Sequence, residues 1–308
     1  MAAVTAAMVK ELREMTGAGM MDCKKALSHS EGDMDGAVEY LRENGMAKAA
    51  KKAGRIAAEG IVKVVVEGDK AAMVEVNSET DFVAKNADFN NYVDKVAKQA
   101  LNTKAADIDA FLAEPWSEEP SKTVADELAS QVAVIGENLK IRRFAQVDAT
   151  KGFVSSYIHM GGKIGVLVDV ETDVVNDALK EMAKNVAMQA AALNPKYTSR
   201  AEVDQEYIEK ETEIMKIAAQ NEKPDANEKI IEGMVKGRIN KELKEICLLD
   251  QVYVKAEDGK QSVAQYVAQV AKENNANVTV KSFTRFETGE GIEKKSEDFA
   301  AEVAAQLN

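Results

Sequence analysis

The sequence predicts an α+β protein of several domains: an N-terminal three-helix domain, a core of two repeated α+β units, an antiparallel coiled-coil insertion and a C-terminal helix. Three observations predict this class. The chain has 308 residues, which is too long for one ordinary domain. Its apolar residues follow a helical period before Gly60 and strand-like runs after it. A strand–strand–helix pattern then occurs twice, with matching words.

Three short helices are predicted before the strands begin. Thr5 can cap the first helix, and Gly17 to Gly19 ends it. Asp22 is expected to cap the second helix, and Asp33 opens the third. Small three-helix domains of this kind are commonly recognition modules. From Ala47 to Gly60 the chain is basic and rich in alanine, which predicts a linker.

Met20 and Met21 lie at the predicted tight turn between the first two helices. One interpretation is that both side chains fill the small core. The other is that they contact a partner, because flexible methionine side chains adapt well to a second surface. The sequence leaves both interpretations open.

The first α+β unit begins after Gly60, where the segment "IVKVVVEGDKAAMVEV" predicts two strands joined through Gly68 to Lys70. A helix follows from Phe89 to Leu101. The remaining predicted elements are a surface loop marked by Pro115, Trp116 and Pro120, a helix from Val124 to Ile135 that stops near Gly136, and a third strand, "NLKIRRFAQV".

The second unit repeats the first. "SYIHMGGKIGVLVDV" predicts another strand pair, which turns at Gly161 and Gly162, and "ALKEMAKNVAMQAAAL" predicts the helix that follows. "VEV" at residues 74–76 matches "VDV" at 168–170, and "ETD" at 79–81 matches "ETD" at 171–173. Two related units are the simplest explanation.

Asp81 and Phe82 occur where the two copies differ. Between strand and helix the first copy is longer by a few residues and carries a phenylalanine that the second lacks. Extra residues at such a turn lie on the surface and are not required by the shared fold. We therefore predict that Asp81 and Phe82 form a projecting contact.

A helical insertion interrupts the second unit. Two apolar stripes flank the turn "NEKPD" and predict an antiparallel coiled-coil hairpin. The first stripe carries Val203, Tyr207, Ile208, Met215 and Ala218, and the second carries Ile231, Val235, Ile239, Leu243 and Ile246. After the insertion we expect a helix capped by Ser262, the strand "NVTVKSFTRF", and a final helix that is capped by Ser296 and carries Phe299, Val303 and Leu307.

Composition and missing motifs disfavour several classes of function. The 40 basic residues against 52 acidic ones give a net charge of −12, which disfavours nucleic acid and anionic membranes as partners. No apolar run approaches the ~18 residues of a membrane span, and the N-terminus does not resemble a signal peptide. The only cysteines, Cys23 and Cys247, indicate no disulfide framework, so a cytoplasmic location is expected.

Enzyme motifs are also missing from the sequence. His29 and His159 are its only histidines, so no zinc cluster is predicted, and there is no P-loop, nucleophile elbow or zinc-protease motif. We predict a protein that acts by binding, with no cofactor, metal or catalytic site of its own.

Three segments closely resemble bacterial translation elongation factor Ts. They are "TGAGMMDCKKAL" (Thr16 to Leu27), "TDFVAKN" (Thr80 to Asn86) and "RFETGEGIEKK" (Arg285 to Lys295). The order of segments is similar along the whole chain, and the first two motifs are specific to that family. The resemblance implies a guanine-nucleotide exchange factor for elongation factor Tu, which it binds in the GDP-bound and the nucleotide-free state.

The resemblance also implies domains and contact residues. The domains are a ubiquitin-associated-like (UBA-like) domain with its linker (1–53), two core subdomains (54–150, and 151–194 with 247–286), the coiled-coil hairpin (195–246) and a C-terminal helical module (287–308). In that family the segment here formed by Thr80, Asp81, Phe82 and Val83 approaches the partner's magnesium ion and dislocates it. Arg13, Gly19, Met20, Met21 and His159 are the other implied partner contacts.

Some alternatives remain open. His159 could be a structural, hydrogen-bonded histidine instead of a contact. A homodimer through the hairpin is not decided by the sequence. Two other functions compete with nucleotide exchange: an adaptor that only tethers its partner, and a hydrolase that uses carboxylates without a recognisable motif.

Overall fold

The computed structural model describes residues 4–293 and shows a mixed α+β protein. Three helices come first: α1 (Ala6–Thr16), α2 (Met20–His29) and α3 (Met34–Lys52). Thr5 and Asp33 cap α1 and α3 as predicted. The predicted cap of α2 is wrong, because that helix already begins at Met20, with Gly19 at the cap position. Asp22 instead lies in the first turn, where its charge favours the helix dipole, and pairs with Lys48 at 2.8 Å.

The first unit contains the elements from β1 to β5. Its antiparallel sheet has the order β1-β2-β5, formed by β1 (Glu59–Glu67), β2 (Lys70–Ser78) and β5 (Lys140–Asp148). Four helices and a two-stranded ribbon lie between β2 and β5 along the chain: α4 (Asp81–Ala84), α5 (Ala87–Asn102), α6 (Ile108–Ala113), β3 (Pro115–Trp116), β4 (Glu119–Thr123) and α7 (Val124–Ile135). The predicted bounds of α7 and its end at Gly136 are confirmed.

The predicted surface segment at Pro115, Trp116 and Pro120 is wrong only for Trp116, since both prolines are exposed. Trp116 is only 3% exposed and lies in the core of the first unit, with its ring near that of Tyr92. Prolines at 115 and 120 are compatible with this because the two-stranded ribbon of β3 and β4 leaves room for residues that cannot donate a ladder hydrogen bond.

The second unit has the same topology as the first. Its sheet order is β6-β7-β8, formed by β6 (Gly152–His159), β7 (Ile164–Thr172) and β8 (Val278–Glu287). The helices α8 (Asp177–Leu193) and α11 (Val263–Glu273) belong to this unit, and the capping box at Ser262 is confirmed. The helices of the insertion are α9 (Gln205–Glu222) and α10 (Glu228–Ile246).

Matching irregularities in the two sheets support the internal repeat. The pairing register shifts between Glu75 and Val76 in β2, and between the matching residues Asp169 and Val170 in β7. A Cβ atom added at Gly60 or Gly152, at the start of β1 and β6, would collide with the carbonyl oxygen of Val76 or Val170. Both units therefore require glycine where the neighbouring strand has its bulge.

The three-helix module docks on the first unit through α3 and α7. The predicted linker from Ala47 is wrong in its first part, because α3 continues to Lys52. Alanine and lysine are good helix formers, and α3 packs at Gly45 beside Ala129 and Ala133 of α7. Arg42 also pairs with Asp126 of α7 at 3.0 Å. The UBA-like arrangement of the module stays a prediction.

The two helices of the insertion pack on one another and leave the core at a closed base. Lys196 and Tyr197 donate backbone hydrogen bonds to the Ile246 carbonyl, and Leu248 donates one to the Tyr197 carbonyl. The predicted stripes form two apolar clusters with one correction: Ala219 is fully buried and takes the place predicted for Ala218, which is exposed. A coiled coil stays a prediction.

The chain after β8 joins the second unit to the first. Glu75 is fully buried, and its carboxylate accepts from Arg142 at 3.0 Å, Arg143 at 2.6 Å and the Gly289 backbone at 2.8 Å. Arg142 and Arg143 of β5 therefore neutralise this buried charge within the first unit, and the Gly289 amide of the "RFETGEG" segment ties the chain after β8 to it. The predicted final helix with Ser296, Phe299, Val303 and Leu307 lies outside the described residues. Of the helices between residues 4 and 293, none has the length and apolarity needed to cross a membrane.

Candidate functional site

The helix α4 presents Phe82 to solvent. Phe82 is 82% exposed, the largest value among the exposed large hydrophobic side chains of residues 4–293. Thr80 caps the helix by accepting from the Val83 backbone at 3.3 Å. Val83 packs partly, and Ala84 fully, against the core of the first unit. One side of this short helix is thus anchored in the core while the phenyl ring projects from the other.

Glu137, which follows the end of α7, fixes the chain where it enters α4. One oxygen of its carboxylate accepts from the backbone amides of Glu79 and Thr80, both at 3.0 Å, and the other accepts from the Thr80 hydroxyl at 2.6 Å. In the opposite direction, the Glu79 carboxylate accepts from the backbone amide of Asn138, the residue after Glu137, at 2.6 Å. We call this reciprocal arrangement of Glu79 and Glu137 the glutamate clasp.

Asp81 carries its negative charge beside Phe82. Lys85, one turn later, donates to the Asp81 carboxylate at 2.6 Å. This hydrogen bond, followed by the attraction of Lys85 and Lys163, lowers the pKa of Asp81 below its usual value. The carboxylate is therefore ionised at neutral pH, next to an exposed aromatic ring.

The turn between β6 and β7 presents His159 on the second unit. His159 is exposed, and its Nδ1 atom lies 2.9 Å from the Tyr157 hydroxyl. Met160, the next residue, is 72% exposed and has a φ of 48°, which is uncommon for a residue with a side chain. Lys163 ends this turn and pairs with Glu59, and the same ammonium group attracts Asp81. Lys163 thus joins the His159 turn of the second unit to β1 of the first unit by an ion pair.

The N-terminal contact candidates lie on the surface of the three-helix module. Met20 is 59% exposed and Met21 is 63% exposed, so the interpretation that both fill the small core is wrong. Gly19 begins α2 without a side-chain cap, and Arg13 is exposed in the last turn of α1. These residues belong to a different domain from Asp81 and Phe82.

A cleft of about 420 Å³ separates the three-helix module from the first unit. Lys48, Lys95 and Lys122 line it, and each pairs with a carboxylate beside it. No group of three or more histidine, cysteine, aspartate or glutamate side chains within residues 4–293 is arranged to hold a metal ion.

Sequence reasoning found the projecting pair but missed the residue that holds it. Glu137 lies 57 positions from Thr80, and no local pattern joins them. One signal was present: a carboxylate directly after the glycine that ends α7 is unfavourable beside the negative end of a helix dipole. Such a residue is expected to have another partner.

The comparisons with known proteins agree along the whole chain. A family model described as "Elongation factor TS" matches residues 79–290. The chain is 56% identical to a protein named elongation factor Ts from Clostridioides difficile, over 100% of both chains. It is 52% identical to the protein of that name from Clostridium tetani and 51% identical to one from Clostridium botulinum, in each case over 99% of both chains.

Proposed function

This chain belongs to the elongation factor Ts family, whose members are nucleotide exchange factors for elongation factor Tu, and we propose a specific mechanism for it. The protein binds elongation factor Tu carrying GDP, disturbs the partner's magnesium site with the Thr80–Val83 segment, and releases GDP so that GTP can bind. It supports translation elongation in the cytoplasm and needs no cofactor or nucleotide site of its own.

The exposure of Phe82 is the observation that carries the proposal. A phenyl ring that is 82% exposed in a helix of four residues gains little from its own fold. The helix is nevertheless held at Thr80 and Val83 by hydrogen bonds and core packing. A rigidly presented aromatic side chain is typical of a binding hot spot, because little entropy is lost when it enters a pocket.

The mechanism follows from coupling between two ligands of one protein. GDP is held largely by Mg²⁺ on its phosphates and by surrounding backbone amides. A protein that binds the nucleotide-free state more tightly than the GDP state must weaken GDP by the same factor. Phe82 would act as a wedge beneath the metal, and the ionised Asp81 would compete for the groups that orient the metal's water shell.

The remaining candidates would supply affinity. Met20 and Met21, with Gly19 and Arg13, would bind the GTPase domain of the partner through the three-helix module. His159 would contact another domain of the partner from the second unit. The hydrogen bond from Gly289 to Glu75 and the ion pair of Glu290 with Arg143 connect the two units that carry these contacts.

Release of labelled GDP from elongation factor Tu tests the proposal. The protein should accelerate release at substoichiometric amounts, since an exchange factor turns over. An adaptor would bind elongation factor Tu without changing the release rate, and a hydrolase would do neither. Either of these last two results would contradict the proposed function.

A further inference from the structure

We propose that Glu137 is a positioning residue for exchange: through the glutamate clasp and Thr80 it holds α4 in the orientation that presents Phe82. This inference rests on the proposed function, because it assigns Glu137 a role in the same site. Glu137 itself is half-buried behind the segment and need not touch the partner.

A four-residue helix cannot fix its own direction. Helix nucleation is unfavourable, and a single turn offers few internal hydrogen bonds. The backbone donors just before α4 also require acceptors, because the first amides of a helix have none within it. Glu137 satisfies two of these donors at the entry, the amides of Glu79 and Thr80.

Thr80 transmits this restraint into the helix. Its hydroxyl donates to Glu137 at 2.6 Å and accepts from the Val83 backbone at 3.3 Å. A single side chain therefore belongs both to the clasp and to the first turn of α4. A bond between a hydroxyl and a carboxylate is among the stronger hydrogen bonds in proteins, which makes this link stiff.

The clasp is anchored to the rigid part of the first unit. Asn138 is 8% exposed; its backbone donates to Glu79, and its side chain donates to the Arg55 carbonyl at 2.7 Å. The next residue, Leu139, is 4% exposed in the core. The helix α4 is thus held by its own flanking residues and, through Glu137, by the segment between α7 and β5.

A double-mutant cycle on GDP release tests whether Glu137 acts through Phe82. We expect Glu137→Ala to slow release by roughly tenfold, since losing an acceptor at a helix entry shifts local equilibria by factors of about 2 to 30. In the Phe82→Ala background the same change should have little further effect, because the ring that it orients is absent. Glu137→Gln should stay within about threefold of wild type, because its amide oxygen still accepts the two backbone amides.

Asp173→Ala is the matched control in the second unit. Asp173 also accepts from a backbone amide and a side chain, those of Asn277, at 2.8 and 2.6 Å. It occupies the position that matches Asp81 in the repeat and does not contact α4. With this variant we expect elongation factor Tu to release GDP at the same rate as with wild type. The control thereby separates loss of the glutamate clasp from a general effect of removing a hydrogen-bonded carboxylate.

Two results would overturn the inference. One is a wild-type rate of GDP release from elongation factor Tu with Glu137→Ala. The other is that Glu137→Ala slows GDP release by the same factor in the wild-type and the Phe82→Ala backgrounds. If Glu137→Ala does not fold, Glu137→Asp, whose carboxylate is drawn back by one methylene, is measured and judged by the same outcomes.

Amide hydrogen exchange gives a readout without the partner, and the Glu79 and Thr80 amides should exchange faster in the variant while β2 stays protected. A wild-type protein without effect on GDP release would instead refute the proposed function, so the two failures are distinguishable.

Discussion

At the residue scale, the proposed site consists of side chains whose exposure the fold does not need. Phe82, Met20 and Met21 are all more than half exposed, whereas Leu12, Leu27 and Phe89 of the same domains are fully buried. Burial of such a side chain is worth about 1.5–3 kcal/mol, which these residues do not gain within their own chain. A partner surface can supply that burial.

Phe82→Ala should fold normally and still bind elongation factor Tu. It should accelerate GDP release from elongation factor Tu much less than wild type does. Losing a hot spot of roughly 2 kcal/mol in the transition state slows release about 30-fold. Asp81→Ala should also slow release, and the two losses should be less than additive because the residues act on one site. If Phe82 acts by displacing Mg²⁺, removing Mg²⁺ with EDTA should make the difference in GDP release rate between variant and wild type smaller. An unchanged deficit without magnesium would refute metal displacement by this pair.

Met20→Ala should weaken the complex by roughly tenfold without changing the melting temperature appreciably. The reason is its exposure of 59%, which leaves little packing to lose. Met46→Ala is the matched control, since Met46 is 51% exposed on α3 of the same module. Binding and thermal melting measure the two effects. A large fall in melting temperature, as truncation of a buried methionine gives, would contradict the contact role.

His159→Ala should reduce affinity for nucleotide-free elongation factor Tu. Tyr157→Phe is the informative comparison, because it removes the hydroxyl that lies 2.9 Å from His159 but keeps the imidazole. We expect Tyr157→Phe to bind almost as wild type does. A His159→Ala variant with wild-type affinity would favour the structural role of this histidine.

At the element scale, the helical insertion is separable from the core. Its ends are held together at the base by the backbone bonds around Tyr197 and Ile246. Val203, Leu243 and Cys247 are buried at the same place, so the base is a small core of its own. An element attached in this way can change its length without moving the two sheets.

The outer part of the hairpin should be dispensable for exchange. Replacing residues 210–238 by a short Gly-Ser link keeps the base cluster and should leave GDP release near the wild-type rate. Light scattering on the same variant tests the open alternative of a homodimer, since a dimer through the hairpin would become monomeric. A folded variant that is inactive in exchange would contradict the prediction.

At the scale of the whole molecule, the proposed contact residues lie on three parts, which the structure holds together. The ion pair of Arg143 with Glu290 and the hydrogen bond from the Gly289 backbone to the buried Glu75 join the two units. The pair of Arg42 with Asp126 joins the three-helix module to the first unit. Breaking a buried ion pair is more costly than losing an exposed one, because the remaining charge is left without a partner.

Acid should weaken the docking of the module. The backbone amide of Thr123, followed by its side chain and by Arg42, lowers the pKa of Asp126 below its usual value. A carboxyl whose pKa is lower in the folded state adds stability above the unfolded pKa of about 3.9, and this is lost as pH falls through the folded value. The difference in melting temperature between wild type and Asp126→Asn should therefore shrink below about pH 4. A difference that is the same at pH 3 and pH 7 would contradict this.

The sequence alone determined the local structure and the family. Helical and strand periods located α7 and the strand pairs, because these patterns arise between residues close in the chain. The repeat and its one unequal turn identified Asp81 and Phe82 as a projecting pair. The motifs around Met20 and Phe82 indicated the family to which the chain belongs.

Only the tertiary structure decided which distant residues meet. Trp116 is buried although prolines surround it, and Ala219 replaces Ala218 in the hairpin stripe, because packing across elements selects the buried face. Glu137 reaches Thr80 across 57 positions, and no period or local motif encodes such a contact. Hydrogen bonds between distant loops depend on the relative placement of whole elements, which the folded chain fixes and local sequence patterns do not.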